Sequence, residues 1–197
     1  MAENNAGGLP EDLSEKAFEI AKRRQAAASD VVALLEDSFE TTFEAHAATL
    51  LRAAGWLAGT SLYRSFSFPA DIPAGSPVLS DKSNDEGMKL LKVFMFLVQK
   101  FGVELKAGDF AAEIPAEQKA RISILQVQEK FEGRYHQIMK EHGFDYAEGA
   151  RAGAVACALL VKLHCLNRSD LEARLAASIV TMGFVEGTKT APRTAKD

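Results

Sequence analysis

The chain has 197 residues, 47% hydrophobic and 25% charged, with a formal net charge of −4 and a pI near 5.7. That is ordinary globular composition with enough apolar residue for a sizeable core. The acidic balance gives no general attraction to phosphate backbones or acidic membranes, so nucleic acid and membrane surfaces are excluded as expected partners.

The first residues, MAENNAGGLPEDLSEK, are polar and acidic where a secretory signal needs a basic flank and an apolar run. Residues 1–10 are expected to be a flexible N-terminus. Asp12 with Glu15 forms a capping-box pattern and starts a helix over 12–27. Its basic run Lys22-Arg23-Arg24 faces Glu15 and Glu19 at helical spacing and reads as a solvated face. Val31, Leu34, Leu35, Phe39, Phe43, His46, Leu50, Leu57 and Leu62 then keep one apolar face, which predicts a long central helix over 31–62. A Pro-rich strap loop follows over 67–82, anchored by Phe66, Phe68, Ile72, Val78 and Leu79.

Ser83 with Glu86 opens a helix over 84–101, ended by Gly102. The irregular stretch 103–114 carries Phe110 and Ile114, and its Val103-Glu104-Leu105 offers a brief pairing to Val78-Leu79. Pro115 suits the first position of a helix that runs to Gly143. Asp145 with Glu148 and Ser169 with Glu172 start helices over 146–165 and 169–187, and the short turn between them implies antiparallel neighbours. Residues 189–197 read as a flexible tail. The fold expected is all-α: a single-domain bundle of about six helices over 11–188.

GWLAGT at 55–60 returns as GFVEGT at 183–188. Gly55 and Gly59, and again Gly183 and Gly187, stand four apart and open notches on one helix face. Gly149 and Gly153 make a third. Each glycine inside a helix costs about 1 kcal/mol relative to alanine, so something must repay them. Close packing of helices within one subunit is the first reading; a homodimer interface and a groove for a flat apolar ligand are the others. The repeat also admits an old duplication.

Chemistry is sparse. Glu129, Glu132 and His136 fall on one helical stripe, and Glu40 and Glu44 on another, a donor set suited to iron or manganese. The Glu-x-x-His motif of di-iron helical proteins is absent, and the stripe reads first as solvated charge. His46 reads as a hydrogen-bonded core histidine, and His164 beside Cys165 points elsewhere on its helix. Arg151, three residues after Glu148, pairs with it or contacts an anion near the helix start. No phosphate loop, dinucleotide fingerprint or nucleophile elbow is present, so no catalytic residue and no cofactor is expected.

Cys157 and Cys165, eight apart on one helix, are separated by about 12 Å and are too far apart to bridge. Reduced cysteines and the lack of an apolar spanning run point to the cytoplasm. The expected function is that of a non-enzymatic cytoplasmic helical protein with glycine-notched packing, self-associating as a homodimer if the notches lie between subunits. The alternative is a helical metal- or small-ligand-binding protein with enzymatic activity.

Overall fold

Small side chains decide which helix lies at the centre. The segment Ala47–Arg64 (α2) is rich in alanine and glycine, and every one of its 18 residues except Arg64 is buried. Neighbouring helices therefore approach it on all sides. The computed structural model describes residues 11–42, 46–69, 71–111 and 113–193. Of these, 75% are helical, in an all-α bundle of six helical rods without a strand among the described residues.

The first rod is α1 (Glu11–Thr42), continuous through Ser29 and Asp30, where the sequence suggested a division. The break lies later. His46 takes an extended conformation, φ −74° and ψ 98°, and its Nδ1 accepts the Thr49 N–H at 3.3 Å, so it caps α2. The expected nine-turn central helix is thus two helices. Its apolar period continues because both bury a stripe in one core: Val31, Leu35 and Phe39 from α1, Leu50, Leu57 and Leu62 from α2. The Asp12 cap, Glu44 and residues 1–10 and 194–197 lie outside the described residues or side chains.

The third rod is α3 (Asp81–Lys100). Its cap is Ser80, whose Oγ accepts the Ser83 N–H at 3.0 Å; Ser83 itself is buried within the first turn. Gly102, at φ +89°, ends it, with the Gly102 N–H donating to the Gln99 carbonyl and Val103 to Val98.

Pro115 starts no long helix. It is extended, with ψ 151°, and precedes only a single 3-10 turn, Ala116–Gln118. Extended backbone at Lys119 then carries the chain on to Ile122, which is buried. The helix begins after Ser123, in a capping box with Gln126. It comprises α4 (Ile124–Val127), a π-helical turn Gln128–Glu132, and α5 (Gly133–Glu141). Gly143 at φ +70° closes it as expected, with Phe144 donating to Met139 and Gly143 to Lys140.

The fifth rod is α6 (Tyr146–Val161), continued by a π-helical stretch Lys162–Asn167; the last is α7 (Ala173–Lys189). Asp145 caps α6 by accepting the Glu148 N–H at 2.8 Å. Ser169 does not cap α7. Its φ of 59° is left-handed, and α7 starts four residues later behind Glu172. The intervening turn is held to α1 by His164, whose Nε2 lies 2.7 Å from Glu36 Oε1 and whose Nδ1 lies 2.7 Å from Asp170 Oδ2. Arg168 adds a 2.8 Å pair to Glu36.

α6 and α7 run in opposite senses, but α7 packs chiefly on α2 rather than back along α6. α2 lies between them. α1 packs on α6, and α3 spans α6 and α7. The segment 146–167 is the one rod among the described residues long and apolar enough to cross a membrane, with mean hydropathy 1.4. Sequence reading passed it over because Arg151 and Lys162 interrupt it, and 61% of its most apolar 18-residue stretch is buried in the bundle.

The basic run of α1 is not simply solvated. Arg24 Nε donates to Glu148 Oε2 at 2.8 Å, and the Arg23 guanidinium lies 5.3 Å from the Phe144 ring centroid. The strap does not pair with 103–105. Gly75 N–H donates to the Ala191 carbonyl, Ala191 to Ser76, and Val78 to Lys189, so the strap pairs with the chain that leaves α7. Of the segment 189–197, Lys189 to Arg193 are described, and Ala191 is buried.

Candidate functional site

The two hexapeptides meet each other. A Cβ on Gly55 would stand 2.8 Å from the Val180 carbonyl oxygen and 3.0 Å from Gly183 Cα; one on Gly183 would stand 2.9 Å from the Arg52 carbonyl and 3.0 Å from Gly55 Cα. One turn further, Gly59 meets the Phe184 carbonyl and Gly187, while Gly187 meets the Trp56 carbonyl and Gly59. Each glycine faces its own counterpart in the repeat, so a local twofold relates the two copies. The register rises together along both helices, which makes α2 and α7 parallel. The third notch seats α6 antiparallel on the other side of α2: Gly153 lies against Ala58 and the Tyr135 hydroxyl, Gly149 against Ser61 and Met139. All six glycines are thus filled from within the chain, with no space left in the notches for a ligand.

Close backbone approach has a geometric consequence. Residues beside the contact line diverge on each helix, and larger side chains there enclose a trough. On α2 these are Arg52 and Trp56, one turn apart; on α7 they are Met182 and Glu186, also one turn apart. The opposite wall comes from the irregular chain before α4, with Phe110, Ile114 and Ile122, and from Leu125 under the strap's Gly75. The 3-10 turn Ala107–Ala111 that carries Phe110 packs on α7 and so fixes that wall. The cavity measures about 1260 Å3 and its lining is predominantly apolar.

One polar cluster stands in this wall. Arg52 Nη2 donates to Glu186 Oε1 at 2.7 Å, Arg52 Nε to Glu186 Oε2 at 3.2 Å, and Trp56 Nε1 to the same Oε2 at 2.5 Å. The Arg52 guanidinium also lies 5.5 Å from the Trp56 ring centroid, a cation–π distance. Burial is unequal: the Arg52 side chain is 11% exposed and that of Glu186 42%. Thr181, buried on α7, lines the same groove, and its Oγ1 has no hydrogen-bond partner.

No family model, curated protein or solved structure matches this chain. The site rests on its own geometry.

Of the carboxylate and histidine residues proposed for a metal, Glu129, Glu132 and His136 do not converge on one point. Glu132 forms a buried ion pair with Arg64, through both Nε and Nη2. Glu129 pairs with Arg193 at 3.1 Å. His136 sits against the Tyr146 ring with centroids 4.6 Å apart, and its Nε2 is buried without a partner. Burial, with Arg64 and Lys140 nearby, pushes its pKa down to about 4. Glu40 belongs to α1, and Glu44 lies outside the described residues. Among the described residues no three His, Cys, Asp or Glu side chains are placed to hold one ion. Glu132 turns away from solvent to meet α2: Gln128 and Glu132, four apart, reach Thr60 and Arg64, four apart on that helix.

Arg151 pairs with Glu148, which Arg24 also holds, and it edges a small cavity of about 220 Å3 beside Lys82, Lys89 and Phe66. Those two lysines are engaged, Lys89 with Glu86 and Lys82 over the Phe66 ring. His46 is a cap rather than a core residue; its Nε2 also reaches the Glu117 carbonyl at 3.0 Å, and burial, together with Arg121, lowers its pKa. His164 serves the turn between α6 and α7. Both cysteines are free; burial drives Cys157 well above the ordinary thiol range and Cys165 up to about 12, so neither is an activated nucleophile.

Sequence reading missed Arg52, Trp56 and Glu186. Their signal was present: an arginine inside LLRAAGWLAGT and a glutamate inside GFVEGT are charges set into helix faces otherwise made of small and apolar residues.

Proposed function

We propose that this protein is a non-enzymatic, cytoplasmic binding protein whose groove along α2 and α7 holds an elongated apolar small molecule. The observation that carries the reading is the groove itself. Ligand sites are concave, mostly apolar and largely pre-formed, with few convergent polar groups, and a volume of about 1260 Å3 walled by Trp56, Phe110, Ile114, Ile122, Leu125 and Met182 has that character. The glycine contacts support it indirectly, since they hold two of its walls rigidly together. A catalytic role has less support. The lining includes no histidine or cysteine, and of its two carboxylates, Glu113 and Glu186, the latter is engaged by three N–H donors.

Trp56 is the sole tryptophan of the chain and lines the groove, so its emission reports occupancy. Titration with the uncharged probe N-phenyl-1-naphthylamine is expected to give saturable binding at one probe per chain, with energy transfer from Trp56. Leu125→Glu and Ile122→Glu place a charge in the wall and are expected to abolish it while the far-ultraviolet dichroism stays helical. Probe emission that rises without saturation, or is unchanged in both variants, rejects the reading. So does a stable homodimer whose contact closes the groove to the probe.

A further inference from the structure

We infer that the ligand of this groove carries a carboxylate, and that Glu186 occupies the ligand's anion site until the ligand displaces it. The inference rests on the groove reading above and adds to it the chemistry of one end of the ligand.

The argument starts from what each partner in the cluster can do. Three N–H donors, Arg52 Nε, Arg52 Nη2 and Trp56 Nε1, converge on the two oxygens of a single carboxylate. That is a bidentate guanidinium fork with an indole donor beside it, a geometry matched to a planar carboxylate. Arg52 cannot leave. Its side chain is 11% exposed, its Nη1 faces the Ile179 carbonyl at 3.5 Å, and its stem is enclosed by the α2–α7 contact. An arginine left there without an anion would be a buried, unpaired charge, which is strongly unfavourable. Glu186 is the mobile partner, 42% exposed and on the last two turns of α7, where a change of rotamer sends its carboxylate into water.

An incoming carboxylate therefore exchanges one ion pair for an equivalent one, and Glu186 regains full hydration. Neither the guanidinium nor the indole loses its partner at the end of the exchange. Binding energy then comes from the apolar tail along Phe110, Ile114, Ile122 and Met182. The exchange is one of non-covalent partners only; no bond is made or broken. A cationic head group cannot replace Glu186 on the Arg52 guanidinium, and a neutral head group leaves Glu186 where it is. The site thus selects amphipathic monocarboxylates over alcohols and amines of the same chain length.

The test uses the full chain and three probes of one length: decanoate, 1-decanol and decylamine, followed by Trp56 emission and by calorimetry. In Glu186→Gln, where no internal carboxylate competes, decanoate is expected to bind at least about tenfold more tightly than decanol, the value of one charge-assisted pair; in the native chain the preference is in the same direction and smaller. Glu186→Gln, which weakens the internal competitor, is expected to tighten decanoate severalfold and to leave decanol unchanged. Trp56→Phe, which keeps the apolar wall and removes one donor, is expected to weaken decanoate and not decanol; it stands in for Arg52 variants, which are liable not to fold. Equal binding of decanoate and decanol, unaltered in Glu186→Gln, overturns the inference and leaves the groove reading in place. Preferential binding of decylamine overturns it as well. Binding of none of the three overturns both.

Discussion

Gly59 and Gly187 are reciprocal: a Cβ built on either would stand 2.9 Å from the Cα of the other. The nearest obstacles to a side chain are backbone atoms, the Phe184 carbonyl and Thr188 N–H on one side and the Trp56 carbonyl on the other. Backbone cannot rotate aside, so Gly59→Ala and Gly187→Ala are expected to lower the melting temperature even though alanine is the better helix former by about 1 kcal/mol. The net loss should be about 1 to 3 kcal/mol each, and leucine at either position should prevent folding. Gly149→Ala should be milder, because the Met139 and Ser61 side chains it meets can shift. Gly133→Ala is the control. It has open space and a helical φ of −58°, and it should gain up to about 1 kcal/mol. Thermal denaturation of the four variants decides the order.

The Arg64–Glu132 pair is expected to behave as a buried ion pair. Its side chains are 17% and 10% exposed, and Glu132→Ala leaves the guanidinium, among the described residues, with the hydrogen bond to the Arg193 carbonyl alone. The cost should be about 3 kcal/mol or more. Glu129→Ala, at a pair about half exposed on both sides, should cost less than about 1 kcal/mol. Urea denaturation measures both, and added manganese or iron should restore neither.

Acid should act through His136. Its folded pKa, about 4, lies below the unfolded value of 6.5, so the unfolded chain binds more protons across that interval. Stability from this group is complete above pH 6.5 and is lost as the pH falls toward about 4. At roughly 1.4 kcal/mol per unit, the loss is at most about 3 kcal/mol. His136→Gln should flatten the stability profile between those limits. An unchanged slope in the variant would place the acid sensitivity elsewhere.

The turn between α6 and α7 should depend on His164. His164→Phe removes both bonds, to Glu36 and Asp170, at a site where the imidazole is 4% exposed, and should cost about 2 to 4 kcal/mol. His142→Ala, whose partner Asp30 is 57% exposed, should cost less than about 1 kcal/mol. Chemical denaturation of the pair separates a buried bracket from a surface contact.

Much of this fold could be read from local chemistry. Gly102 and Gly143 end their helices because only a left-handed residue completes the hydrogen bonds there, and Asp145 caps α6 for an equally local reason. The division of α1 from α2 was illegible: its marker is a histidine cap, and the apolar period runs on across it. Ser123 with Gln126 was a readable start, overridden by the preference of proline for a first turn that Pro115 never enters. The π turns at Gln128–Glu132 and Lys162–Asn167, which carry Glu132 and His164, have no local sequence mark. The groove lay furthest from view, since Arg52, Phe110, Ile122 and Glu186 come together only through the tertiary arrangement. The repeated hexapeptides announced close packing without saying that each copy was the other's partner.

That partnership also sets an order of events. Gly55 must wait for Gly183, 128 residues downstream, before its face of α2 is covered. At synthesis rates of roughly 5 to 20 residues per second, the delay is about 6 to 26 s. Until then a nascent chain exposes a strip of alanine and glycine backbone that the native molecule hides completely. The α2–α7 contact joins parallel helices across more than half the polypeptide, so its closure carries a high loop-entropy cost and belongs late in folding. Chains truncated before Ala173 should consequently collapse without a fixed core and be the forms most readily captured by chaperones.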